Sequence, residues 1–171
     1  MPEYSLPDYR TDRLVVPCPA GNGWAAAGIA RVLATIKYSP YASKYRTQTA
    51  NLAAWGAEIV TAAFAQVRPD GLLPNVFGSK LGSTFSDAGA SALLASAAYR
   101  LAVLGAIPLD GAVVAAAERV RLAVEAGVRE NGWLSPVSDP LSFTVAGRES
   151  PEAQAFVLLM EAAWVDWKAA L

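Results

Sequence analysis

Helix-start signals near Gly23, Asp87 and Pro151 lie 64 residues apart, twice over, and no stretch between them alternates as a half-buried strand would. A chain that restarts a helix at that interval has room for a return helix and a loop in each repeat. It is thereby confined to stacked helical hairpins, either a solenoid or a toroid. Five helical segments are expected, over residues 23–37, 47–67, 87–104, 110–126 and 150–167. Trp24, Ile29, Val32, Leu33 and Ile36 form the apolar face of the first. Asp87 stands at an N-cap, Gly105 and Gly127 at helix stops, and Ser150-Pro151-Glu152 supplies a cap with proline at the first helical position. Residues 1–20 carry Pro2, Pro7, Pro17 and Pro19 and read as an extended arm, which leaves residues 21–171 as one all-α domain of helical hairpins.

The connections repeat as well. Asp70-Gly71-Leu72-Leu73-Pro74-Asn75-Val76 matches Asn131-Gly132-Trp133-Leu134-Ser135-Pro136-Val137 at an offset near 61. Such a layout gathers the N-termini of one set of helices on a loop-bearing rim, where their free N–H groups favour an anionic ligand.

Composition closes much of the functional space. With no histidine, the chain cannot form a Ser-His-Asp triad, a Cys-His dyad or a His-ligated metal site. A single cysteine, Cys18, excludes an internal disulfide and a thiolate cage. No cofactor or metal is expected, and acid–base chemistry falls to carboxylates, Tyr or Lys. The net charge of -1 gives no footprint for nucleic acid, and no basic cluster marks a membrane surface. The absence of a basic-then-apolar leader suggests a cytoplasmic location. At 54% hydrophobic residues, the chain has apolar surface to offer a partner.

Three ordered motifs are distinctive: Gly21-Asn22-Gly23-Trp24-Ala25-Ala26-Ala27-Gly28, Ser86-Asp87-Ala88-Gly89-Ala90-Ser91-Ala92 and Ser150-Pro151-Glu152-Ala153-Gln154-Ala155-Phe156. Together they resemble glycoside hydrolase families 88 and 105, the unsaturated glucuronyl and unsaturated rhamnogalacturonyl hydrolases. The likeness spans residues 21–171 and matches only the C-terminal part of the family domain. It implies an (α/α)6 barrel of six helical hairpins, of which this chain would form about half. It also implies removal of a 4,5-unsaturated uronic acid from an oligosaccharide by hydration of the sugar's double bond. The family's general acid/base, an aspartate, lies upstream of the matched motifs and has no counterpart here. Where the family places an aromatic residue and an arginine, this chain has Pro17-Cys18-Pro19-Ala20. Trp24 is carried over as a wall of the sugar site, with Asn22 and Gly21 beside it.

Each site residue also has a plainer reading. Asp87 is a catalytic candidate and an N-cap, and Glu152 a candidate that also suits the helix dipole. Asp139 and Glu149 fall in the rim loop, where solvated carboxylates are common. Arg148 and Lys80 are the cations best placed to meet an anion. Trp133 could cover a pocket, although Leu72-Leu73 in the matching loop points to packing. Cys18 is given no role, and Trp55, Trp164 and Trp167 read as core or interface. Three alternatives stand beside the hydrolase reading. One is a barrel relative recruited to another reaction, such as cyclisation of a hydrophobic natural product. Another is a non-catalytic half-barrel that binds a ligand and covers its open flanks as a homodimer or with a partner chain. The third is a fragment of a longer enzyme, against which Met1 and the arm before Gly21 weigh.

Overall fold

The computed structural model describes residues 18–171, so most of the arm expected over residues 1–20 lies outside the described residues. Five α-helices follow in order: α1 (Pro19–Lys37), α2 (Arg46–Phe64), α3 (Ala88–Leu104), α4 (Ala112–Ala126) and α5 (Pro151–Ala170). A 3-10 turn at Ala42–Tyr45 joins the first two, and two strands, β1 (Val137–Asp139) and β2 (Ser142–Gly147), precede the last. The fold is helical, as expected. The repeat is less even than the sequence suggests: Pro19 to Ala88 is 69 residues and Ala88 to Pro151 is 63. The first helix starts four residues before Gly23 because proline, lacking an N–H, fits a first turn without loss.

The β1–β2 hairpin corrects the expectation that no strand forms. Phe143 and Val145 do alternate with Ser142 and Thr144, yet both large side chains stay exposed, so no buried face advertises the strand. The hairpin is held instead by antiparallel pairing of Val137 with Gly147 and Ser138 with Ala146, and by polar contacts to the rim.

Helix α3 is the centre of the molecule. Residues 88–99, 101 and 102 are all buried, the signature of a helix covered on every side. It packs against α1 on one side and α5 on the other, with α2 and α4 behind. Small residues set the spacing. A Cβ at Gly89 would lie 2.8 Å from the Ala153 Cβ, and one at Gly23 would lie 2.9 Å from Leu93 Cδ2. This close approach explains why the buried face of α1 is Gly23, Ala26, Ala30 and Leu33, while Trp24 and Val32 of the expected apolar face are exposed. Larger side chains fill the space among α3, α4 and α5. Tyr99 is fully buried with its ring 5.3 Å from that of Trp167, whose indole N–H donates to the Leu109 carbonyl at 2.8 Å. Trp167 is core, as read, whereas Trp55 is half exposed on α2.

The two repeated loops fold alike. In the first, Arg68 N–H donates to Leu72 O and Gly71 N–H to Arg68 O; in the second, Arg129 N–H donates to Trp133 O and Gly132 N–H to Arg129 O. Asp70 and Asn131 each accept from the amide two residues on, and Gly71 and Gly132 share a φ of +82° and +83°. Each loop then buries a leucine, Leu73 or Leu134. The Leu73 amide is received by Ser91 Oγ and that of Leu134 by Gln154 Oε1, the fourth residues of α3 and α5. Asn22 holds the same position in α1.

Candidate functional site

The N-termini of α1, α3 and α5 converge on one recess of about 100 Å³. Cys18 and Ala20 from the start of α1 line it, with Asp87, Gly89 and Ala90 from α3, and Ser150, Glu152 and Ala153 from α5. Asn75, Ser138, Asp139 and Phe143 complete the wall from the first repeated loop and the β-hairpin. The rim anticipated from the repeat is therefore formed, and it brings three carboxylates together from three elements: Asp87, Asp139 and Glu152.

These carboxylates are unequally free. Asp87 is buried, its Oδ1 accepts the amides of Gly89 (2.9 Å) and Ala90 (3.1 Å), and its Oδ2 accepts the Ser138 hydroxyl (2.6 Å). It caps α3 and fastens β1 to it. Ser138 is also 2.7 Å from Asn75 Oδ1, and Asn75 Nδ2 donates to the Phe143 carbonyl at 2.6 Å. Asp139 Oδ1 accepts from the Leu141 amide at 2.8 Å and so shapes the hairpin turn. Glu152 is exposed in the first turn of α5 and makes no hydrogen bond or ion pair among the described residues. Of the three, Glu152 alone has neither oxygen bonded among the described residues, and both are available for proton exchange with a ligand.

The other expected site residues are spread around the recess. Trp24 does not line it, but its ring meets Phe156, which does, edge to face at 5.2 Å. Asn22 is buried beneath the start of α1, where its Nδ2 donates to the Cys18 carbonyl at 3.0 Å; Gly21 is exposed beside it. Arg148 and Glu149 are exposed in the link from β2 to α5, outside the recess wall, and Lys80 is exposed in the first loop. Trp133 is half-buried in the second repeated loop and contributes nothing to the recess lining. Cys18, to which the sequence assigned no role, does line it. Asn75 and Ser138 were missed, and only the repeated loop signals the former.

Two features lie away from the rim. A wider groove of about 580 Å³ runs over α1, α3 and α5, with a floor of Ala27, Ala30, Ala34 and Ala97 and an Arg100–Asp166 ion pair at its edge. Between α3, α4 and α5, the Tyr99 hydroxyl donates to Glu118, and Arg121 sits 4.3 Å over the Trp164 ring, paired with Glu118 and Glu125 and 3.9 Å from Glu161. Burial, then Glu118, pushes the Tyr99 hydroxyl up. Burial and the neighbouring Glu125 push the Glu161 carboxyl up, against the pull of Arg121.

No protein-family model and no curated protein matches this sequence. Solved structures do. A possible member of glycoside hydrolase family 105 from Salmonella enterica superimposes with a TM-score of 0.74 at 14% identity, over 90% of this chain and 40% of that one. A glycosyl hydrolase of family 88 from Bacteroides vulgatus gives 0.70 at 16% identity, over 88% and 43%. The unsaturated glucuronyl hydrolase of Bacillus sp. GL1, responsible for the degradation of glycosaminoglycan, gives 0.61 at 17% identity, over 85% and 38%. These neighbours are (α/α)6-barrel enzymes, and this chain has the fold of part of such a barrel, spanning about two fifths of their length. The resemblance carried by the three motifs is thus met in the fold. Among the described residues, no helix is long and apolar enough to cross a membrane.

Proposed function

We propose that this chain is a glycoside hydrolase-like protein that acts on the 4,5-unsaturated uronyl end of an oligosaccharide at the rim recess. The observation that carries the reading is the meeting of Asp87, Asp139 and Glu152 at the N-termini of three neighbouring helices. Carboxylates are among the acid–base groups left to a chain without histidine, and glycoside chemistry runs on them. In this reading Glu152 exchanges the proton, since Asp87 is engaged as a cap and Asp139 as a turn former. Water adds across the C4–C5 double bond, hydrogen to one carbon and hydroxyl to the other. Trp24, exposed on α1 beside Phe156, offers an apolar face to the sugar ring. Arg148 meets the sugar carboxylate from the β2–α5 link. At about 100 Å³ the recess is smaller than the ~300 Å³ or more of common ligand pockets, so it takes one edge of a terminal ring rather than a whole oligosaccharide.

A non-catalytic reading is favoured by one observation: the most deeply placed carboxylate, Asp87, has both oxygens committed to the fold. The ultraviolet absorbance of the C4–C5 double bond separates the two. Incubation with unsaturated glucuronyl and rhamnogalacturonyl disaccharides should bleach the signal with the wild-type chain and leave it with Glu152→Gln. A flat trace from folded wild-type protein, with disaccharide binding by calorimetry, would establish the binding role instead.

A further inference from the structure

Among the described residues, α1 and α5 each expose a small, apolar face on the side away from α3. On α5, Ala155, Leu158, Ala162 and Val165 recur at three- and four-residue spacing, all exposed, on the side turned away from α3. On α1 the corresponding side presents Gly28 and Val32, also exposed, with Ala25 and Thr35 beside them. These are small and apolar surfaces of the kind that packs helix against helix within the molecule, as Gly89 does against Ala153. The charges differ in sign. Helices α1 and α2 with the turn between them carry Arg31, Lys37, Lys44 and Arg46 against Glu58. Helices α4 and α5 carry five acidic residues against Arg119, Arg121 and Lys168, although Asp166 is paired with Arg100 of α3 and Glu118, Glu125 and Glu161 gather around Arg121.

We infer that this chain associates head to tail with a second copy of itself, the α5 edge of each copy packing on the α1 edge of the other. The difference in charge favours this pairing over α5 on α5 or α1 on α1, which would set like charges together. Two such contacts related by a twofold axis along the barrel join α1, α3 and α5 of both copies in one ring. Because α1 and α5 both begin at the rim, they run side by side in the same direction across the contact. Val32, fourteenth residue of α1, then stands level with Val165, fifteenth of α5. The ring would also turn the groove over α1, α3 and α5 into part of an enclosed lumen. The inference rests on the fold and the edges, and is independent of any catalytic activity.

Sedimentation velocity and cysteine cross-linking test it on the 171-residue chain in a Cys18→Ser background. The wild type should sediment as two chains. Val165→Asp, an exposed change that leaves helicity intact by circular dichroism, should raise the half-association concentration at least tenfold. Under oxidation, a mixture of Val32→Cys and Val165→Cys chains should give a covalent dimer that neither variant forms alone. A single-chain species at high concentration overturns the inference, and so does an open polymer. A dimer in which Val165→Cys cross-links to itself overturns the head-to-tail arrangement.

Discussion

Asp87 and Ser138, 51 residues apart in sequence, are joined by a 2.6 Å hydrogen bond that ties the first turn of α3 to strand β1. The same carboxylate caps α3, so one side chain holds a helix start and a hairpin in register at the edge of the recess. The rim is therefore built around Asp87, and its substitutions separate scaffolding from chemistry.

Asp87→Ala removes the cap and leaves the buried Gly89 and Ala90 amides without their acceptor. A loss of ~2–3 kcal/mol in urea unfolding is expected, against ~1 kcal/mol or less for Asp87→Asn, which still caps. Equal losses would show that the charge, not the cap, is what the fold needs.

The repeated loops give a matched pair. Gly71→Ala and Gly132→Ala both force alanine to a left-handed φ, costing ~1–2 kcal/mol each. At Gly71 the new methyl also falls 2.7 Å from the Ala123 Cβ, whereas nothing lies within 4 Å at Gly132. Gly71→Ala should thus be the more damaging by ~1 kcal/mol or more. Ala123→Gly alone should cost α4 ~1 kcal/mol, and the double variant should be less damaged than the sum of the two by about the clash. Chemical denaturation of the four variants decides it.

Glu161 gives the fold a pH dependence. Its carboxyl is pushed up in the folded chain by burial and by Glu125, so the folded state holds the proton more tightly than the unfolded state. Stability is then greatest below the ordinary glutamate pKa and is lost as pH rises through the raised folded value. Glu161→Gln should flatten that slope and raise Tm at neutral pH by on the order of 1–3 °C, read from melts between about pH 4 and 7.

At the recess, Glu152→Gln should lower turnover of an unsaturated uronyl disaccharide by ~10²–10⁴-fold while lowering Tm by no more than a few degrees, because Glu152 is exposed, unpaired among the described residues, and gives up only its attraction to the α5 dipole. Arg148→Ala should raise KM and leave kcat nearly alone, as expected of a residue that holds the sugar carboxylate in ground and transition state alike. A kcat loss at Arg148 would place it in the chemistry.

Much of the architecture is legible in the residues, because caps and stops are local. Asp87, Gly105 and Pro151 act where their chemistry says they should, and the Gly71 and Gly132 loops fold alike because they share the same turn residues. The β-hairpin was hidden since its alternating residues, Phe143 and Val145, face outward and leave no buried stripe. The face of α1 was misread for a related reason. Close packing at Gly23 and Ala26 selects small residues, and hydrophobic periodicity is weakest where helices touch most closely. The convergence of three helix starts followed from the repeat, but the division of labour among carboxylates did not. Which oxygen of Asp87 meets which amide depends on the hairpin coming back from residue 138, a contact no spacing encodes.

The most direct measurement is a backbone amide chemical-shift titration with an unsaturated glucuronyl disaccharide. Shifts should concentrate at Gly89, Ala90, Glu152 and Ala153, the starts of α3 and α5 that wall the recess. Shifts confined to the Ala27–Arg100 groove, or none at all with folded protein, would contradict that placement of the site.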